Sequence, residues 1–447
     1  MKTSYVKEYI SREPVRYLFD VYIIGFVFKF SKQIHVTPKL KYYLNNTKYK
    51  KKMNTIKTTV DGLHKIVFGP LFLSEYTVNP TEATLSLIIN NKSKKKIFEK
   101  KITLLKYSDF SLKTCYSTVV TNINFAVSSC WALNVRAALT LTKTDKKTLQ
   151  KFNDTCKEVK PLMIISSGDM VYPETLQTNS SYGIQNIYDE LINLEEGQSL
   201  WDNYTWVCSN DDHELSVNDG MADGSNIKLL TQKLDDNFPI GEHVHDQNHD
   251  FRATFFTIKN INFITLDPVS ARTLNVASTN SGDIYSTTLG ENQLLYLKNV
   301  FSNIYTFSGA NSLIFIVVGK SMFGSQSGNT FMNCLKERQQ IFDLILTFKF
   351  KNVCIICGDS HFSDFTEYQL DVANNIIIRE IRNSSVTSLP RNPSVSDNPN
   401  RFPNSFSGGV NNFGMVNVNG LTNDYNVTYT NYTLNGVQFT YTWNINY

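Results

Sequence analysis

Long apolar runs are missing from this sequence. The strongest, Tyr17 to Phe30, is broken by Asp20 and Lys29; it is too short to span a bilayer and lacks the shape of a signal peptide. It permits at most an interfacial anchor, and the lack of a convincing signal favours an intracellular location over export. Regularly spaced cysteine is missing too. Seven cysteines form an odd set without a repeated spacing, which argues against a secreted disulfide framework. Cys354 and Cys357 make a CxxC, but it sits inside an apolar strand pattern where residues three apart face opposite sides. Both therefore read as buried thiols and not as a zinc or redox pair. Charge is sparse at 19%, and a net charge of +4 over 447 residues is too small to imply a nucleic-acid partner. No internal repeat is present. The sequons at Asn203 and Asn431 are what an Asn-rich chain produces by chance.

What is there is enough apolar material for a large core. A hydrophobic content of 41% is ordinary for a soluble globular protein, and the length suggests two or three domains. Residues 1–60, Lys- and Tyr-rich with a basic cluster at Lys48 to Lys52, read as an N-terminal extension. From 61 to 120 the runs LHKIVFGPLFL, ATLSLIINN and KIFEKKITLL alternate apolar and polar residues, which predicts a small antiparallel β-sandwich. Near Asn122 the grammar changes. INFAVSSCWAL reads as a strand, Lys143 to Lys157 as a helix, and Leu162 to Ile165 as a second strand, the βαβ pattern of a layered α/β domain spanning 121–447. Further helices are predicted at Ile184 to Leu200, Asn226 to Leu234, Leu289 to Phe301 and Glu337 to Phe348. Strands are predicted at Tyr204 to Cys208, within FRATFFTI and INFITLD, and at Leu313 to Val318. After Glu367 the chain is β-rich.

Three polar loops stand out because each follows an apolar strand. PLMIISSGDMVYPE delivers Asp169 and Tyr172; CSNDDHELSVNDG packs three acids, His213 and a second Asn-Asp pair; NVCIICGDSH ends on Asp359 and His361. The crevice beyond the carboxyl ends of strands in an open α/β sheet is where ligands bind. A single Gly-Asp turn reads better as a capped turn than as a ligand site. Three such loops carrying carboxylate, phenol and imidazole describe a metal site better than three unrelated turns. Cys130 also falls at a strand end, either as a small core residue or as a thiolate ligand. GEHVHDQNHD holds His243, His245 and His249, but it is polar throughout and reads as an exposed loop rather than a zinc site.

With these residues in place, the sequence resembles the alkaline phosphatase D (PhoD-like) branch of the calcineurin-like metallophosphoesterases. FGPLFLSEYTVNPTEATLSL is similar to the start of that family's β-sandwich, FAVSSC to its Ser-Cys strand end and SSGDMVYPE to its GDxxYE motif. DDHELSVNDG resembles its double-Asp loop, ITLDPVSAR its LDxR strand, LGENQLLYL its LGxxQxxWL helix and CGDSHFSDFTE its GDxHF motif. The order is kept across nearly the whole chain. The departures are Asn210 in place of an aromatic before the double Asp, Pro268 inside the LDxR spacing, and no His between Leu313 and Gly328.

The resemblance implies an α/β fold, with two packed β-sheets flanked by helices after a small β-sandwich. It implies a metal cluster ligated by Cys130, Asp169, Tyr172, Asp212, Asp359 and His361, with Asp169 bridging two ions. Cys130, Tyr172 and His361 would hold Fe3+, whereas Asp212 and Asp359, with Asn218 as a further candidate, would hold Ca2+; Mn2+ or Zn2+ are the alternatives. Phosphomonoesters or phosphodiesters would then be hydrolysed by in-line attack of a metal-bound hydroxide. His213 is the candidate acid, and Arg272 and Arg252 are candidate phosphate contacts beside ordinary structural roles. The expected partner is a small-molecule, lipid or polymer phosphoester, with no sequence-specific nucleic acid and a monomeric chain. The competing expectation is a catalytically weak or inactive member whose metal cluster is structural and whose β-rich ends bind a partner.

Overall fold

Strands that are apolar along their whole length have no face to give to water and must be covered on both sides. Five short strands are buried at every position: Met163–Ser166, Thr205–Cys208, Ile261–Thr265, Leu313–Val317 and Asn352–Cys357. In the computed structural model they lie at the centre of two large mixed sheets. The structure describes residues 4–5, 15–20, 23–44, 47–60, 62–68, 81–89, 95–104, 121–131, 143–172, 181–215, 227–239, 251–258, 261–274, 285–324, 330–392, 398, 400–421 and 424–446. The first sheet has nine described strands. Their order is Gly436–Asn446, Asp424–Thr433, Asn412–Leu421, Thr121–Ser128, Met163–Ser166, Thr205–Cys208, Val15–Asp20, Ile23–Lys29 and Leu63–Phe68. The second has seven, in the order Thr254–Ile258, Ile261–Thr265, Leu313–Val317, Asn352–Cys357, Ile376–Arg382, Ser363–Asp371 and Arg401–Ser407.

The period-two alternation of side chains assigns each strand residue to a layer. Phe125, Val127, Ile165 and Val207 of the first sheet pack against Phe263, Phe315, Val317, Cys354 and Ile356 of the second. Their neighbours Ala126, Ile164, Trp206 and Cys208 point outward, into a core formed with residues of the helices Lys143–Val159, Ser181–Asn193, Gln198–Asn203 and Ile227–Asn237. On the other side Ile314, Ile316, Val353 and Ile355 meet the helices Gly290–Ser308 and Leu335–Phe348. The result is helix, sheet, sheet, helix. The α/β expectation holds, and the predicted helices form with their ends shifted, except that Ile184 to Leu200 is two helices, Ser181–Asn193 and Gln198–Asn203. Cys354 and Cys357 are both buried in the central strand of the second sheet.

The N-terminal third is organised differently from its sequence reading. The described strands within residues 1–60 are not an extension: Val15–Asp20 pairs in parallel with Thr205–Cys208, and Ile23–Lys29 pairs beside it. The stretch that sequence alone left open as an interfacial anchor is thus a hairpin of the central sheet. The expected sandwich over 61–120 is divided between layers. Leu63–Phe68 closes the edge of the nine-stranded sheet, while Thr81–Ile89 and Lys96–Leu104 join His35–Leu44 in a separate six-stranded sheet. Phe26, Phe28 and Phe30 alternate toward that smaller sheet, and Val27 faces the helices. No helix among the described residues is long and apolar enough to cross a membrane.

The two sheets are clamped by an aromatic triangle, with ring centroids 5.1 Å apart for Phe125 and Phe315, 5.4 Å for Phe125 and Phe263, and 5.3 Å for Phe263 and Phe315. Truncating Phe125→Ala should lower stability by about 3–5 kcal/mol, because a buried aromatic is lost and the sheets cannot collapse into its volume. A shift of the urea midpoint without a change in slope measures it.

Candidate metal centre

The parallel pairing aligns the carboxyl ends of three strands of the first sheet, with Ser128, Ser166 and Cys208 in register. The residues that follow, Cys130, Asp169 and Asp211–Asp212, are therefore delivered to one crevice. The second sheet does the same, since Val317 pairs with Ile356, and Gly358 N–H donates to the Gly319 carbonyl at 3.0 Å. Lys320 and Asp359 reach the crevice from those two ends. Among the described residues, Cys130, Asp169, Asp359 and His361 all have left-handed backbones, with φ of 57°, 56°, 62° and 59°. A non-glycine residue held this way costs roughly 1 to 3 kcal/mol, and such strain gathers where side chains must be aimed.

The chemistry centres on Asp169, which is 1% exposed. Its Oδ2 accepts from Tyr172 Oη at 3.2 Å and from Cys130 Sγ at 3.4 Å, and Tyr172 Oη lies 3.4 Å from His361 Nε2. His361 Nδ1 is 2.8 Å from the Leu389 carbonyl. A carbonyl only accepts, so the proton sits on Nδ1 and Nε2 is left as the donor atom for a ligand. Ser384 Oγ donates to Cys130 Sγ at 2.8 Å. The His213 ring lies against Tyr172, tilted by 36° with ring centroids 3.9 Å apart.

These residues fit a metal. Asp169 Oδ1 is buried and has no hydrogen-bond partner among the described residues, which is costly unless a ligand completes it. Burial and the neighbouring Asp169 raise the Cys130 thiol and the Tyr172 phenol well above their ordinary ranges. Burial likewise pushes the Asp169 carboxyl to about 6, with His213 opposing. A group that takes thiolate, phenolate, imidazole and carboxylate together is a strongly Lewis-acidic transition ion. Cys130, Asp169 and His361 bring ligand atoms within 4.8 Å of one another, as do Asp169, Asp212 and His213.

The structure places the remaining candidates unequally. Asp212 and Asp359 join Asp169 and Asp211 in a group of carboxylates within 4.8 Å. Asn218 and the three histidines of 243–249 lie outside the described residues. Arg272 is 2% exposed and close enough to Lys320 to act on its charge. Arg252 is committed elsewhere: its guanidinium donates to the carbonyls of Cys208 and Phe238 and pairs with Asp235 at 3.4 Å. That is the structural role, pinning the Cys208 strand end to the helix Ile227–Asn237.

Sequence reasoning missed three residues. Glu214 accepts from the backbone N–H of Asp169 at 2.9 Å, of Asp211 at 2.7 Å and of Met170, tying two of the loops together. Gln293 accepts from Asp267 N–H at 2.6 Å and donates to the Asp267 carbonyl at 2.8 Å, which locks the turn that leads to Arg272. Lys320 is the third, and its Nζ is 2.7 Å from Asp211 Oδ1, 2.7 Å from Asp212 Oδ1 and 2.8 Å from Asp359 Oδ1. Burial alone would lower its pKa, but Asp211, Asp212 and Asp359 together raise it well above the ordinary lysine range. The signal was available: VVGK after a fully apolar strand has the same strand-end grammar as SSGD and ICGD.

Two stacked sheets with helices outside carry a polyanionic crevice at their carboxyl ends, and solved structures share this fold. The structure of PhoD matches with a TM-score of 0.64 at 13% identity, covering 96% of this chain and 92% of that one. A purple acid phosphatase, PPD1 from yellow lupin (Lupinus luteus) seeds, matches with a TM-score of 0.62 at 11% identity, covering 97% and 74%. The fold is therefore PhoD-like. No family model matches the sequence, and no curated protein matches it.

Gly319 has room for no side chain. A Cβ there would lie 2.3 Å from Asp211 Oδ2. Gly319→Ala should push Asp211 off Lys320 and cost on the order of 1–3 kcal/mol of stability, read as a lowered urea midpoint.

Proposed function

We propose that the protein is a metal-dependent phosphoesterase acting on phosphomonoesters or phosphodiesters of small molecules, lipids or polymers. The observation that carries this reading is the gathering of Cys130 Sγ, Tyr172 Oη and His361 Nε2 around the Asp169 carboxylate, beside a second group of acids. Cys130, Asp169, Tyr172 and His361 would hold an iron ion, and when bound it would supply Lewis acidity toward a phosphoryl oxygen and toward water. The chain's own residues do the rest. Asp169 offers Oδ2 to this set, and its Oδ1 is buried without a hydrogen-bond partner among the described residues. Cys130 and Tyr172 give up their protons on loading, so uptake releases acid and strengthens as pH rises. His213, which lies against the Tyr172 ring, is the residue assigned to protonate the leaving oxygen. Arg272 adds positive charge beside the transferred group.

Elemental analysis of the purified chain against Asp169→Asn tests the site. Iron bound near stoichiometrically and lost in the variant supports it; no metal in either protein after incubation with iron, manganese, zinc and calcium overturns it. Tyr172→Phe should remove any visible phenolate-to-iron absorption while the other ligands stay. With metal in place, His213→Gln should lower turnover of an alkyl phosphate by about 10²–10⁴-fold and that of p-nitrophenyl phosphate far less, because nitrophenolate needs no proton to leave. Bound metal without turnover of either ester would favour the alternative, a metal-stabilised binding protein.

A further inference from the structure

We infer that Lys320 stands in place of a second metal ion, making this a centre of one metal and one ammonium. The inference rests on the reading of the crevice as a phosphoesterase metal centre, and it concerns the half of the crevice that faces the second sheet. There Asp211, Asp212 and Asp359 turn one oxygen each toward a single point. That point is the Lys320 Nζ, at 2.7, 2.7 and 2.8 Å. Two of the ammonium's donors make hydrogen bonds to Asp212 and Asp359, and Asp211 is ion-paired with it at 2.7 Å.

The packing makes this a built position and not a surface lysine that folded inward. The Lys320 side chain is 1% exposed, and lysine is almost never buried so fully without anionic partners. It follows Gly319 at the end of a wholly buried strand, and Gly319 itself is wedged against Asp211. The backbone thus fixes the Nζ from one side while the Asp211–Asp212 loop, clamped by Glu214, fixes its acceptors from the other.

A divalent ion bound by the same oxygens would place two like charges within a few ångströms in a dry site. Arg272 also carries positive charge near enough to Lys320 to repel it. The resemblance that assigns Asp212 and Asp359 to a hard second ion takes no account of this residue. Lys320 offsets the negative charge of the acids and presents a fixed cation beside the position of the phosphoryl group. It acts as a positioning residue, and it removes the need for calcium.

The test loads the full chain with iron in the presence of excess Mn2+, Zn2+ or Ca2+, counts bound ions and records the electron paramagnetic resonance of the ferric form. The wild type should retain a single ion per chain with the signal of an isolated ferric site, unchanged by Mn2+. Lys320→Gln, which keeps length and polarity but drops the charge, should raise the count to about two per chain. Two ions in the wild type, a ferric signal lost by coupling to Mn2+, or a folded Lys320→Gln that still holds one ion would each overturn the inference while leaving the phosphoesterase reading intact. A wild type that holds no metal at all would sink that reading itself. Should Lys320→Gln fail to fold, the wild-type count and spectrum decide alone.

Discussion

Five acids, Asp169, Asp211, Asp212, Glu214 and Asp359, meet where the carboxyl ends of two stacked sheets converge, and four of them are at most 1% exposed. Buried negative charge is tolerated only when it is neutralised or hydrogen-bonded. The surrounding structure reads as a set of answers to that demand. Glu214 accepts from backbone N–H groups, Asp211, Asp212 and Asp359 each turn one oxygen to Lys320, and Asp169 accepts from Tyr172 and Cys130 on one oxygen, while Asp169 Oδ1 and Asp211 Oδ2 have no hydrogen-bond partner among the described residues.

The layers exist to hold those strand ends in place. The aromatic triangle of Phe125, Phe263 and Phe315 fixes one sheet on the other, so Asp169, Asp211 and Asp212 of the first meet Lys320 and Asp359 of the second. Behind the first sheet Trp131, Trp201 and Trp206 pack together, with centroids 5.4 Å and 5.7 Å from Trp131. Trp131 adjoins Cys130 directly, and its N–H donates to the Asp169 carbonyl at 2.7 Å. Core packing and the aim of these side chains are therefore one construction, which holds Cys130, Asp169, Asp359 and His361 in left-handed backbones.

Much of this was legible because the two periodicities of side chains are local. The buried strands announce themselves as unbroken apolar runs, and Gly-Asp at the end of Leu162 to Ile165 or of Asn352 to Cys357 marks where the chain turns into the crevice. The N-terminal strands were not legible. Val15–Asp20 owes its place to pairing with Thr205–Cys208, nearly two hundred residues away, and nothing in a Lys- and Tyr-rich stretch reports a partner so remote. Arg252 shows the same blindness: an arginine reads identically whether it meets a phosphate or the carbonyls of Cys208 and Phe238.

The sequence by itself determined the kinds of donor atom, the strands that carry them and the order in which they come, since each depends on residues within a few positions of one another. Only the tertiary structure decided which acids share a neighbour. Asp211 and Asp212 lie more than a hundred residues from Lys320, and Asp359 lies 39 residues beyond it. Whether a cationic side chain or an ion answers those acids is a property of a point in space between two sheets, and that point has no address along the chain.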